Sequence, residues 1–374
     1  MSRKNLIVLT GIAIMFGIIF LASGCKKEDG DDNTPVQQLN VYVAGYTRSS
    51  AGIDIPCYWQ NGTRTDLAIT AGKEGVAVAV FVSGNDVYAA GSSYTGTNDT
   101  EVPCYWKNGG KNDLSKIAAT VDGSATGIVT IGSDVHVSGY TGNNPLPTTP
   151  CFWKNGARTD LGMISPGKNG FVFSICASGN DIYLAGETTT AAGVFVPCYW
   201  KNGVRTDLSV INPAKDGYAG FGASVYVSGS DVFVAGHTKN NADVDVPCYW
   251  KNGERIDLSV LLANGPGYGD SIFVSGSDIF VAGNTYGQGA SGSVSVPCYW
   301  KNGGRTDLTA LDPSRNGFGQ SVFIFEGDIY VAGSNLNAAN VFVPCYWKNG
   351  ARTDLSVLDA AKSSEAFSIF VIKQ

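Results

Sequence analysis

One twelve-residue line, Pro-Cys-Tyr-Trp-Lys-Asn-Gly-x-Arg-Thr-Asp-Leu, recurs seven times in this chain with small variations; the 197–208 copy reads PCYWKNGVRTDL. Its cysteines fall at Cys57, Cys104, Cys151, Cys198, Cys248, Cys298 and Cys345, in steps of 47, 47, 47, 50, 50 and 47 residues. A fixed period in that range means a repeat architecture, in which each unit buries its apolar face only against its neighbours. Low charge (16%) and 48 glycines suit a turn-rich all-β chain and argue against disorder.

Each unit holds four strand-like runs. The first is the Asp-Ile-Tyr-Val-Ala-Gly run at 328–333 and its counterparts. The Val-Pro-Cys-Tyr-Trp run, Arg-Thr-Asp-Leu, and a Ser-Ile-Phe-Val-Ser-Gly run such as 271–276 follow it. Runs rich in Val, Ile, Tyr and Phe between Gly, Asn, Asp and Ser are strands with turns. Asn-Gly joins the second run to the third in all seven units, the strongest short hairpin signal. The Ser-Gly-Ser-Asp link is equally tight, and the proline before each cysteine is expected at the first position of its strand, where a missing N–H is tolerated. Four antiparallel strands repeated seven times predict an all-β fold, a seven-bladed β-propeller over residues 40–374. The chain enters at a Tyr-Val-Ala-Gly run (42–45) and ends on Ala-Phe-Ser-Ile-Phe-Val (366–371), a fourth-type run with no partners after it. That C-terminal strand is expected to complete the N-terminal blade as its innermost strand, closing the ring without open edges. A solenoid would need capping ends, and none is visible.

Arg3 and Lys4, an uncharged run from Leu6 to Leu21 and the small residues Ala22-Ser23-Gly24 make a signal peptide of residues 1–24, too short for a membrane span. The Leu21-Ala22-Ser23-Gly24-Cys25 stretch resembles a bacterial lipoprotein lipobox, which implies lipid attachment at Cys25. The following Lys26-Lys27-Glu28-Asp29 begins a charged flexible tether, residues 25–39, and is similar to the surface-export signal of Bacteroidetes lipoproteins. The resemblance implies lipid anchoring in the outer membrane on the cell surface, with the periplasmic face as the alternative. The Cys-Tyr-Trp-x-x-Gly-x-x-x-Asp-Leu line resembles the HAF repeat of extracellular bacterial proteins, with cysteine in place of that family's aromatic residue. It implies an extracellular propeller-like fold and no assigned activity. The Ile-Tyr-Val-Ala-Gly run is similar to a kelch-type strand, although the second kelch glycine is absent.

The repeated residues read mostly as scaffold. Packed sheets lie roughly 10 Å apart and a disulfide needs Cα atoms within about 7 Å, so equivalent cysteines on neighbouring blades should not pair. Cysteine and tryptophan, two apart, face one side of their strand. Cys176 stands where other units carry Phe or Tyr and reads as a repacked core position. All seven tryptophans lie in the repeat and read as inter-blade core rather than as a sugar platform. The Asp-Leu aspartates (Asp66, Asp113, Asp160, Asp207, Asp257, Asp307, Asp354) and the turn aspartates (Asp86, Asp134, Asp181, Asp231, Asp278, Asp328) are expected to bond turn backbone or pair with the repeat's Arg or Lys. His136, at a strand aromatic position, and His237, expected in a loop, are the only histidines, so a catalytic triad or histidine metal site has almost no material. No residues point to a cofactor, and Gly220-Phe221-Gly222 sits in a turn-rich connection rather than at a strand-to-helix step. A net charge of −6 gives no footprint for nucleic acid, and the chain is expected to act as a monomer.

Both tight turns of a unit fall on one face of a propeller, and both long connections on the other. The connections at 46–55, 92–102, 140–149, 187–196, 237–246, 284–296 and 334–343 vary freely and are rich in Thr, Asn, Ser, Gly and Tyr. Function sits on loops that a rigid scaffold displays, so this face is the expected binding surface. The expectation is a lipid-anchored, non-catalytic binding or scaffold module for a glycan or protein. One alternative is a carbohydrate-active enzyme using loop acids such as Asp99, Glu101, Glu187, Asp243 or Asp245; another is a purely structural envelope protein.

Overall fold

Every Asn-Gly pair turns a hairpin, with both residues at positive φ as a type I′ turn requires (Asn202 at 51°, Gly203 at 84°). The computed structural model describes residues 37–95, 100–142, 147–215, 217–218, 224–289 and 292–374. The leader, Cys25, Asp99 and the Gly220-Phe221-Gly222 stretch lie outside them. Gln38–Gln374 makes up one unit of seven antiparallel sheets. Blade 4 shows the pattern: an innermost strand Gly170–Ser178, then Asp181–Thr189, Phe195–Lys201 and a short outer strand Val204–Asp207. In blade 5 the innermost strand is described as two pieces, Gly217–Tyr218 and Val225–Ser228, both paired with Asp231–Lys239.

The ring closes as expected. Glu365–Lys373 pairs antiparallel with Leu39–Arg48 and is the innermost strand of blade 1, with Tyr42 opposite Phe370. Gln38 and Gln374 exchange backbone hydrogen bonds of 2.8 and 3.1 Å at the seam. The proline, however, sits inside its strand, third in Phe195–Lys201, rather than first. Its carbonyl accepts the N–H of the Leu after the outer strand (Leu208 to Pro197, 2.9 Å), but its ring nitrogen has no proton to return. What ends there is the outer strand.

The core lies between blades. Each apolar cluster joins residues of adjacent sheets; Cys57 and Trp59 of blade 1 pack with Tyr330, Ala332 and Leu355 of blade 7. All seven tryptophans are fully buried. Each indole N–H reaches back to the preceding blade and donates to the carbonyl just after its Asp-Leu: Trp106 to Ala68 at 2.7 Å, Trp200 to Gly162 at 2.9 Å, and across the seam Trp59 to Ser356 at 2.7 Å. Serines of the innermost strands add a second set of ties. Ser321 Oγ accepts the Ile369 N–H at 3.3 Å, and Ser368 Oγ accepts the Val80 N–H at 3.2 Å.

A one-residue bulge interrupts the register of the innermost strand in six blades, between Val172 and Ser174 in blade 4 for example. The bulge presses a carbonyl against the neighbouring strand where the Ala-Gly run ends. A Cβ on Gly186 would collide with the carbonyl oxygen of Phe171, and Gly45, Gly91, Gly139, Gly283 and Gly333 stand in the same position. That contact accounts for the glycine in these six runs. Trp59→Phe, which keeps an aromatic ring at the seam but loses the indole donor, should lower stability by about 2 kcal/mol in chemical denaturation.

Candidate functional site

The innermost strands surround a central cavity of 1190 Å³. The bulge decides what faces it, because an extra residue in one strand re-aims a side chain. The bulged residues Val78, Thr126, Phe173, Asp270, Gln320 and Phe367 all line the cavity. They form one of the two most varied columns of an otherwise repetitive strand, the other lying two places earlier (Val76, Ser124, Phe171, Tyr268, Phe318, Glu365). Four of the residues directly after the invariant glycine also line it, namely Tyr140, Glu187, His237 and Asn284.

Further along the same strands, towards the tight-turn face, rings from five consecutive blades touch. Centroids lie 4.7 Å apart for Tyr226 and Phe273, 4.9 Å for Phe273 and Phe323, 5.0 Å for Phe323 and Phe370, and 5.2 Å for Phe370 and Phe81. Blades 3 and 4 carry the smaller Val129 and Cys176 at this level. Cys176 is half-buried beside the cavity, and its size leaves the circle of rings incomplete.

The polar groups of the cavity are set by burial. Glu365 accepts a hydrogen bond from Tyr46 Oη at 2.8 Å, and burial holds its carboxyl above the ordinary range. Burial pushes the Tyr140 phenol up to about 12. His237 lies in a strand rather than in the expected loop, and burial drives it down to about 4 despite Asp245, whose Oδ1 is 3.9 Å from Nε2. Tyr268 donates to Asp245 at 3.1 Å and meets the His237 ring edge to face at 4.7 Å. Asp270 is 6% exposed, and desolvation alone raises its pKa well above 3.8.

The described acids singled out from sequence are not gathered at the cavity. Glu101 in blade 2 is held by the Ser92 hydroxyl, and Asp243 is an exposed partner of Lys215 at 2.8 Å. Asp245 is bound by Tyr268 and Lys239, and of the described loop acids only Glu187 lines the cavity. Sequence reasoning missed Asp270, Gln320, Glu365 and Phe367, which lie on strands rather than loops. The available signal was a polar residue inside an apolar run, as in Gly-Tyr-Gly-Asp-Ser-Ile-Phe (267–273).

The repeated groups are scaffold. Among the described residues every cysteine is unbridged, and the seven of the repeat are fully buried. Each turn aspartate binds the lysine and asparagine of its own blade: Asp181 takes Lys201 Nζ at 2.9 Å and Asn202 Nδ2 at 2.7 Å. The same asparagine accepts the Ile182 N–H at 2.9 Å, locking the hairpin to the second strand. The Asp-Leu aspartates pair with the basic residue two places before, as Asp66 does with Arg64 at 2.7 Å. His136 is buried opposite Lys154, with both ring nitrogens lacking hydrogen-bond partners.

No family model matches the chain, and no curated protein matches it. Solved propellers do. The puromycin-hydrolysing peptidase of Mycobacterium tuberculosis superposes with a TM-score of 0.54 at 11% identity, over 87% of this chain and 53% of that one. The propeller domain of the Trilobed protease from Pyrococcus furiosus gives 0.49 at 8%, over 86% and 95%. Trypanosoma rangeli sialidase in complex with sialic acid gives 0.46 at 9%, over 82% and 56%, so this chain spans about half the sialidase's length. At these identities the likeness is one of fold alone.

Two outcomes follow. Burial pushes Cys104, Cys151, Cys248, Cys298 and Cys345 up to about 12, so almost no thiolate exists at neutral pH. Alkylation followed by mass spectrometry should therefore modify these five only after global unfolding. Asp270 has a folded pKa above its unfolded one, so its contribution to stability is present at low pH and lost as the pH rises through the folded value. Asp270→Asn should raise the melting temperature at pH 7, with the gain closing as the pH falls towards 3.8.

Proposed function

We propose that this protein is a lipid-anchored propeller of the bacterial cell envelope that binds a glycan, without catalysis, in the central cavity. The carrying observation is the cavity itself. At 1190 Å³ it is somewhat larger than the roughly 300–1,000 Å³ usual for small-molecule sites, roomy enough for an oligosaccharide, and its wall mixes aromatic rings with hydrogen-bonding groups. Sugar rings stack on aromatic faces and bond through hydroxyls, whereas a flat protein surface could not reach groups held inside a ring of strands. Of the described loop acids only Glu187 lines the cavity, while Glu101, Asp243 and Asp245 are engaged by Ser92, Lys215 and Tyr268, which favours binding over glycoside hydrolysis by a pair of these loop acids.

The address rests on sequence. The leader, the lipobox-like stretch ending at Cys25 and the lysine-acid tract support anchoring in the outer membrane, and the HAF-like repeat supports exposure at the cell surface. Cys25→Ala should move the protein from the membrane to the soluble fraction; retention in the membrane would refute the anchor. A glycan array probed with the purified full chain tests the binding reading. Capture of a defined glycan class, weakened about tenfold or more by Tyr268→Ala through lost ring contact, is the expected result. Absence of binding to every glycan would leave a structural envelope role.

A further inference from the structure

The cavity wall is chemically one-sided. Among its described residues are three carboxyl groups, Glu187, Asp270 and Glu365, and no lysine or arginine. His237, its sole basic side chain, is neutral at pH 7. An anionic ligand would therefore find no counter-charge here.

Asp270 differs from the repeated aspartates and from Glu365 among the described residues. The turn and Asp-Leu aspartates have cationic partners, and Glu365 has the Tyr46 hydroxyl. Asp270 is 94% buried by its 6% exposure, projects from the bulge of blade 6, and has no hydrogen-bond or ion-pair partner among the described residues. In the same blade, Asn284 is 3% exposed and its Nδ2 lacks an acceptor. Burying a carboxyl without a partner is expensive, and the cost is recovered only when something enters to pair with it. The nearby walls are rings, Tyr268, Tyr286 and Phe318 among them, whose faces attract cations.

We propose that the cavity takes an organic ammonium group, which Asp270 pairs with among the aromatic walls while the Asn284 amide donates to an oxygen of the same ligand. An amino sugar has both groups; a free polyamine has the ammonium alone. The inference rests on the reading of this cavity as the ligand site and sharpens it from glycans in general to amine-bearing ones.

The test is isothermal titration of the purified full chain with glucosamine oligomers, their N-acetylated counterparts and spermidine. Glucosamine oligomers should bind, and acetylation should weaken binding about tenfold to a hundredfold by removing the charge. Asp270→Asn should cause a loss of similar size without lowering the melting temperature, which separates lost recognition from lost folding. Asp243→Asn, an exposed acid away from the cavity, should leave binding unchanged. Because burial favours protonated Asp270 in the empty protein, ligand binding should weaken as the pH falls. Binding should also release a proton, seen as a dependence of the heat on the buffer that Asp270→Asn abolishes.

Spermidine binding as tightly as the oligomers, and equally sensitive to Asp270→Asn, would support the ammonium site and identify a free polyamine as its source. Acetylated oligomers binding as well as free amines, or unchanged binding by Asp270→Asn, would overturn the proposal while leaving a neutral-glycan site standing. No binding of any probe here, together with an empty glycan array, would overturn both readings.

Discussion

The indole N–H that each blade sends back to its predecessor is the interaction on which the rest of the ring depends. A single four-stranded sheet has two apolar faces and no means of covering either. The tryptophan fills the gap to the next sheet and, through its donor, fixes the distance and rotation between them. The bond from Trp59 to Ser356 and the strand Glu365–Lys373 turn a row of such contacts into a closed ring. The ends of the described chain then meet through Gln38 and Gln374 instead of fraying. Cysteine beside tryptophan is explained by the same geometry: a small apolar side chain fits beneath the indole with its Cα opposite a glycine, Cys57 facing Gly45.

Much of this was legible because repetition averages out the ambiguity of any one segment. Seven Asn-Gly pairs fix seven hairpins, and a lone final strand fixes the closure. The aspartates at constant spacing from lysine or arginine could be read as local partners, as they are. The bulge was not legible. A register shift of one residue leaves the repeat period untouched, and the strand around it still reads as an apolar run. Asp270 and Gln320 therefore pass unnoticed in the sequence, although they are among the residues the strands present to the cavity. The loop acids erred in the opposite way. Glu101, Asp243 and Asp245 stood out on variable connections, yet each is occupied by a neighbour that no spacing rule identifies.

The bulge also explains why conservation of type and freedom to vary lie side by side in one strand. It forces glycine on the adjacent strand, because a carbonyl fills the place of a Cβ. It also releases one side chain from the contacts that fix its neighbours, so the column accepts Val, Thr, Phe, Asp, Gln and Phe. A core column must keep its volume within narrow limits, since overpacking and cavities both destabilise. Within one chain, the copies of a scaffold serve as an internal control, and a column that departs from them, as the bulge column does in six blades, is one on which packing imposes less.

Asp270 tests that argument from the energetic side. A polar residue open to bulk solvent would cost little, but this one is only 6% exposed where it meets the cavity, and desolvation alone raises its pKa. Asparagine there would be nearly isosteric and free of the charge penalty. The ring can carry the burden because its stability is distributed over seven tryptophan ties and the serine bonds between innermost strands. Loss at one blade is therefore not loss of the fold. Proteins retain such local destabilisation mainly where it serves a site, and that is the physical reason for placing the proposed ammonium group at blade 6.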